Sequence, residues 1–217
     1  MPDTLLGVLI PWFIVSIGAV VSPGPVSAAV ITEAPRQGWR VGPLVSVGHS
    51  ILELIVVVLL GIGLSAGMAS PPIQRTIAFV GGLVLLAMGT SYVLAAGRGT
   101  MHLPAPDAAA PRRTPLRLVG LGVLMTASNP FWYAWWVTVA PAYLAQAQAF
   151  GQTGLAAFYL GHISADFTWN TAVAGATHAG RRWLTDGRYR ALIGLVGVFM
   201  GYLGVRFLLA ALGGPAG

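Results

Sequence analysis

The chain has 217 residues, of which 56% are hydrophobic and 8% charged. A soluble domain carries about 25% charged residues, and a mean hydropathy of +0.76 leaves too little polar surface to cover a water-facing body. The net charge of +6 rests on 12 arginines and no lysine, placed between apolar runs rather than along one solvated face, so nucleic acid is not the expected partner.

The same composition excludes disorder, coiled coil and collagen. With no cysteine, a disulfide-stapled secreted domain is excluded too. An outer-membrane barrel would show short alternating segments, and this chain shows long unbroken apolar runs. The expectation is an all-α membrane protein forming a single domain over 1–217.

A membrane span needs about 20 mostly apolar residues. Six runs qualify in chain order: 5–31, 41–67, 73–97, 116–140, 154–177 and 191–212. Residues 1–4 carry one acid and no basic n-region, so the first run is expected to stay as a helix rather than be cleaved. Segment 98–115 holds Pro104, Pro106, Pro111 and Pro115 and reads as an exposed loop. Ten arginines fall in the first, third and fifth connections, one (Arg75) in the second, and Arg206 inside the last run. The positive-inside rule then puts the odd loops, 98–115 among them, in the cytoplasm and both termini outside.

The two halves echo each other. Gly48-His49-Ser50-Ile51-Leu52-Glu53 is matched 113 residues on by Gly161-His162-Ile163-Ser164-Ala165-Asp166. Gly82-Leu83-Val84 with Met88-Gly89 is matched 112 residues on by Gly194-Leu195-Val196 with Met200-Gly201. Two echoes at nearly one spacing predict duplication of a three-helix unit, over about 5–97 and 116–212. An odd number of spans per unit makes the second enter from the opposite side, giving a 3+3 inverted repeat as in many secondary transporters.

Each unit is interrupted in its first span. Ser22-Pro23-Gly24-Pro25 falls in the first run and Asn129-Pro130 in the fourth. A proline removes a backbone N–H and clashes with the carbonyl four residues back. In a bilayer the freed groups need partners, so helices 1 and 4 are expected to break beside protein or a wet cavity.

Two acids lie within the apolar runs. Glu53 is 12 residues into the second, about 18 Å along the helix and near the bilayer centre; Asp166 is at a similar depth in the fifth. A charge there costs several kcal/mol unless paired, hydrated or neutralised. Such carboxyls can load a proton or bind a cationic group. His49 and His162 each precede an acid by four residues and share its helix face. Three readings stay open: proton relays, a site where His49, Glu53, His162 and Asp166 ligate a divalent metal, or plain hydrogen bonding. Asn170 continues the Asp166 face, to meet a substrate carboxylate or another helix. Trp132, Tyr133, Trp135 and Trp136 follow the second break as interfacial anchors or as a wall of the site. Arg206 is near enough to its helix end to reach outward.

No phosphate-cradling Gly-x-x-x-x-Gly-Lys loop, His-Glu-x-x-His pair or Gly-x-Ser-x-Gly elbow occurs. The chain is expected not to be an enzyme and to need no cofactor. An intramembrane enzyme using the His–acid pairs is the less favoured alternative.

Pro23-Gly24-Pro25 ending the first run, Gly38, Gly48 before an acid, Asn129-Pro130, and the stretch from Arg181-Arg182 through Gly194, Gly201 and Gly204 to Arg206-Phe207-Leu208 together resemble the LysE/RhtB amino-acid exporters. The resemblance spans nearly the whole chain. It implies a six-helix exporter in a bacterial or archaeal inner membrane, driven by protons or membrane potential, moving an amino acid or related small solute outward. It also implies that Pro23, Gly24, Pro25, Glu53, Asn129, Pro130 and Asp166 line the site. Two features depart from the family pattern: Glu53 stands where an aspartate is usual, and the two histidines are additional. The metal-cation exporter is therefore kept as the alternative. Small residues around 61–63 and 197–204 can pack helices within a chain or in a homodimer.

Overall fold

The computed structural model describes residues 4–61, 71–103 and 113–212. Among these there are helices and turns, with no strand. The chain opens with α1 (Leu5–Val20), whose start is capped by the Thr4 hydroxyl accepting from the Gly7 amide at 3.2 Å. It then bends by 73° into α2 (Pro25–Gln37). The bend has a local cause. Pro25 cannot donate to the preceding turn but suits the first helical position, and Pro23 pushes Ser22 out of the helical region. Gly24 between them is fully extended, with φ −148° and ψ −172°. At the far end of α2, Gly38 takes φ +91°, a conformation side chains disfavour, and turns the chain into α3 (Val41–Gly61).

After α4 (Pro71–Gly97) the second interruption behaves likewise. Here α5 (Pro115–Ala127) stops, Asn129 turns extended, and Pro130 opens α6 (Pro130–Thr138). The Asn129 side chain caps that start by accepting from the Phe131 amide at 3.1 Å. The sequence reading expected a loop after 140. That segment instead holds a further short helix, α7 (Ala140–Gln148), which folds back onto the following helix with Pro141 in its first turn. Then come α8 (Gly151–Ala179) and α9 (Asp186–Leu212).

By length and composition α3, α4 and α9 each suffice to cross a membrane, and the bent α1–α2 pair makes a fourth candidate span. At 29 residues α8 is the longest of these helices, yet its polar residues keep it off that roll. Those residues, His162, Asp166 and Asn170 among them, are buried against other helices rather than turned outward. The expected span 116–140 is divided between α5 and α6, and residues 62–67 of the second expected span lie outside the described residues.

Glycines set how closely the helices approach. The broadest helix pair is α4 with α9. A Cβ on Gly89 would lie 2.6 Å from the Gly197 carbonyl oxygen, and one on Gly204 would lie 2.9 Å from the Gly82 carbonyl oxygen, so the two helices run antiparallel, nearly backbone on backbone. The glycines of 197–204 that offered a dimer surface are thus used inside one chain. Gly48 of α3 likewise faces the Val119 carbonyl of α5, and Gly122 of α5 faces the Val45 carbonyl of α3. Three apolar clusters result. One, around Trp12, Val56, Trp136 and Phe158, gathers α1, α3, α6, α7 and α8 at one end. Another, around Val30, Val41, Val45 and Leu118, gathers α2, α3 and α5 at the opposite end of α3. The third, around Leu85, Ile193 and Met200, ties α2 to α4 and α9.

Gly89→Val places two methyls into that backbone contact. It should lower stability by roughly 1–3 kcal/mol, the usual cost of overpacking. Gly175→Ala, where a Cβ meets nothing within 4 Å, should leave it unchanged or slightly higher. Thermal unfolding in detergent reads both; equal melting of the two variants would contradict the close α4–α9 contact.

Candidate functional site

Between the first two apolar clusters lies a polar layer. On α3, Ser46, His49 and Glu53 follow at intervals of three and four residues and share one face; on α8, His162, Asp166 and Asn170 follow at intervals of four and share another. The helices cross there, so the two faces meet. All six residues are buried, Glu53 to 0% exposure and Asp166 to 2%.

The contacts are reciprocal between the halves. His49 Nε2 lies 3.0 Å from Glu53 Oε1 on its own helix and 3.3 Å from Asp166 Oδ1 across the interface. His162 Nε2 lies 3.9 Å from Asp166 Oδ2 on its own helix and 2.9 Å from Glu53 Oε1 across it. The outer imidazole nitrogens follow the same exchange. His49 Nδ1 sits 2.6 Å from the Thr126 hydroxyl on α5, while His162 Nδ1 sits 2.6 Å from the Ser16 hydroxyl on α1. Each histidine is therefore held by a hydroxyl from the first helix of the other half.

Further contacts tighten the layer. The Trp132 indole N–H donates to Glu53 Oε1 at 3.3 Å. Asn170 Nδ2 donates to the Ser46 hydroxyl at 3.0 Å, an interhelical bond. The His162 ring stacks near Trp12 and Trp135, with centroids 5.2 and 6.1 Å away, and meets Trp136 edge-on at 5.2 Å. Despite this, two oxygens in the layer, Glu53 Oε2 and Asp166 Oδ2, are buried with no hydrogen-bond donor. Leaving a buried carboxylate oxygen unpaired is expensive, so the layer is built to receive something more.

It opens into a cavity whose water-accessible volume is about 60 Å³. Ser22 and Gly24 of the first break and Asn129 of the second line it, with His49, Glu53, His162, Asp166 and Asn170. Val26 and Ser27, from the first turn of α2, also line it. No side chain caps that turn, so its free amides face the space. Phe131, Trp132 and Trp135 form an aromatic wall, and the buried Trp135 indole N–H has no partner. The two breaks touch: a Cβ on Gly24 would be 3.5 Å from Asn129 Nδ2.

The site residues expected from sequence divide in two. Gly24, Glu53, Asn129, Asp166, Asn170, His49 and His162 line this cavity. Pro23, Pro25 and Pro130 stand beside it; Pro25 and Pro130 are buried helix-starting residues, and Pro130 lines a neighbouring hollow with Gly81 and Tyr133. Sequence reasoning missed Ser16, Thr126, Ser46 and Trp12, since a hydroxyl or an indole inside an apolar run carries no signature of its own. Arg206 turns outward and rests on Tyr202, its Nη1 3.1 Å from the phenol oxygen. It takes no part in the acid layer. As for metals, His49, Glu53 and Asp166 each offer a ligand atom within 4.8 Å of one another, with His162 Nε2 beside them.

Apolar helices, a helix bent at mid-course and a buried polar cavity between two helix breaks define a helical membrane protein of the translocating kind. The sequence model of the LysE type translocator family matches residues 17–211, and the chain belongs to that family. No curated protein and no solved structure matches it. The membership makes it a multi-pass membrane translocator of small solutes rather than an enzyme.

Glu53→Leu removes the oxygen on which two imidazoles and an indole converge. It should cost roughly 3–5 kcal/mol, as when one partner of a buried ionic pair is deleted. Glu53→Gln keeps an acceptor oxygen there and should cost clearly less. Chemical denaturation in micelles compares the two; equal losses would mean that these contacts do not hold the helices together.

Proposed function

We propose that the chain is a secondary active exporter of a small amino acid or a closely related solute, coupled to protons or to the membrane potential. The observation that carries this reading is the shared cavity of the two breaks and two acids, with opposite chemistry at its two sides. Toward the α2 start, free backbone amides, the Trp135 N–H and the Ser22 and Ser27 hydroxyls suit a carboxylate. Toward α3 and α8, the unpaired oxygens of Glu53 and Asp166 suit an ammonium, with Trp132 and Phe131 alongside. Among the described residues no arginine lines the cavity, and the chain has no lysine, so helix dipoles and neutral donors answer the negative end of a zwitterion.

In this reading the chain is one domain whose halves, 5–97 and 116–212, form an inverted repeat. The reciprocal His–acid and His–hydroxyl contacts support it, as does the antiparallel α4–α9 pair. Rocking of one half against the other alternates access. The arginine-rich connections, loop 98–115 included, face the cytoplasm, both termini face outward, and the membrane is the inner membrane of a bacterial or archaeal cell. The Glu33–Arg113 ion pair at 2.9 Å joins the end of α2 to the approach to α5 on the cytoplasmic side.

Proteoliposomes loaded with the common amino acids one at a time test the proposal under an imposed pH gradient or potential. One or a few small amino acids should leave the loaded compartment, and Glu53→Gln with Asp166→Asn should bring that flux to background. Flux equal to the parent in the double variant would remove the acids from the mechanism.

A further inference from the structure

Four residues of the polar layer, His49, Glu53, His162 and Asp166, turn ring nitrogens and carboxylate oxygens on one another. Thr126 Oγ1 donates its one proton to the Gly122 carbonyl at 2.8 Å, so toward His49 it can only accept. His49 Nδ1 must then carry a hydrogen. In the neutral ring Nε2 is left with a bare lone pair, pointed at Glu53 Oε1 and Asp166 Oδ1. His162 Nε2 is pointed at the same Glu53 oxygen, and its Nδ1 lies 2.6 Å from the Ser16 hydroxyl. His49 at least thus turns a lone pair on two carboxylates, an arrangement that a positive centre among them satisfies.

We propose that this cluster binds a divalent first-row transition-metal ion, such as Zn²⁺ or Co²⁺, through His49 Nε2, His162 Nε2 and the carboxylates of Glu53 and Asp166. Four observations carry it. First, the spacing fits. Ligands about 2.0–2.1 Å from a tetrahedral zinc stand roughly 3.3 Å from one another. His49 Nε2 stands 3.0 Å from Glu53 Oε1 and 3.3 Å from Asp166 Oδ1, and these three residues form the compact core of the set; His162 Nε2 joins it at 2.9 Å from Glu53 Oε1 and 3.9 Å from the other Asp166 oxygen. Second, hydrogen bonding alone satisfies the cluster poorly, because both Nε2 atoms crowd Glu53 Oε1 while Glu53 Oε2 and Asp166 Oδ2 have no donor. Third, the outer nitrogens of both rings are held by hydroxyls, and that of Thr126 fixes the His49 tautomer with Nε2 free to ligate. Fourth, two carboxylates and a dication sum to zero charge, the state a buried membrane site tolerates best. Two imidazoles select transition ions over Mg²⁺ and Ca²⁺. All four side chains line the cavity, so an ion can reach them. This goes beyond the amino-acid reading and does not depend on it.

The chain is favourable for the test. It has no cysteine, and its other two histidines are His102 and His178. His102 is an exposed partner of Asp186. Purified protein with any tag removed is placed in nanodiscs and titrated with Co²⁺, reading visible d–d absorption. The expected result is saturation at one ion per chain, with displacement by Zn²⁺ but not by excess Mg²⁺ or Ca²⁺. His49→Ala and His162→Ala should each abolish saturation, and His102→Ala should leave it unchanged. Thr126→Val, a near-isosteric change outside the first ring of ligands, should weaken binding by roughly 10–100-fold and so guards against a variant that merely unfolds. Absence of saturable Co²⁺ binding overturns the proposal. So does binding that survives His49→Ala with His162→Ala, or that vanishes with His102→Ala. Amino-acid flux measured in chelator separates the two readings: flux without metal binding sinks this inference alone, and metal binding without flux sinks the other.

Discussion

Two carboxyl groups in the dry middle of a membrane protein are the constraint from which the rest follows. Each would cost several kcal/mol if left ionised and alone. Among the described residues neither has an arginine beside it; Arg206, the basic residue of the last apolar run, turns away. Two imidazoles face them instead, and the arrangement holds only while α3 and α8 stay crossed at one point. Gly42 secures that crossing by letting α3 lie against the Asn170 carbonyl of α8. The polar layer is thus both the most costly and the most specific part of the core, and apolar clusters close it in at either end of α3.

The helix breaks serve the same layer. An unbroken first helix would present side chains to the acids and keep its amides to itself. Interruption at Pro23-Gly24-Pro25 turns the start of α2 and its free N–H groups toward the cavity. The two breaks are not chemically alike. Asn129 caps its own helix through Oδ1, so the α6 start is already answered, whereas the α2 start has no cap. A related fold can therefore carry an asymmetric site: the donor end lies on the first half and the tryptophan wall on the second.

Much of this was legible in the sequence. The 113-residue echo placed Glu53 and Asp166 at matching depths, and the paired prolines marked both breaks. Spacing of four placed each histidine beside its own acid. Spacing could not say that each histidine would also face the acid of the other half, because that depends on where α3 and α8 cross. Nor could it single out Ser16 or Thr126, whose role comes from the helix they face across a glycine contact and not from their neighbours in the chain. The α7 helix was missed for another reason: segment 140–148 is short and alanine-rich, and its folding back depends on Gly154, where a Cβ would run into the Ala147 carbonyl.

The length of the Glu53 side chain has a direct geometric consequence. Its second methylene extends the carboxyl by about one carbon–carbon bond, roughly 1.5 Å. That reach lets Oε1 stand 2.9 Å from one imidazole and 3.0 Å from the other, as well as 3.3 Å from the Trp132 indole. A shorter acid on the same helix turn would sit back toward His49 and leave His162 to Asp166, at a distance already 3.9 Å. Glutamate here and the two histidines are therefore one feature rather than three: the long carboxylate is what joins the halves' imidazoles into a single cluster.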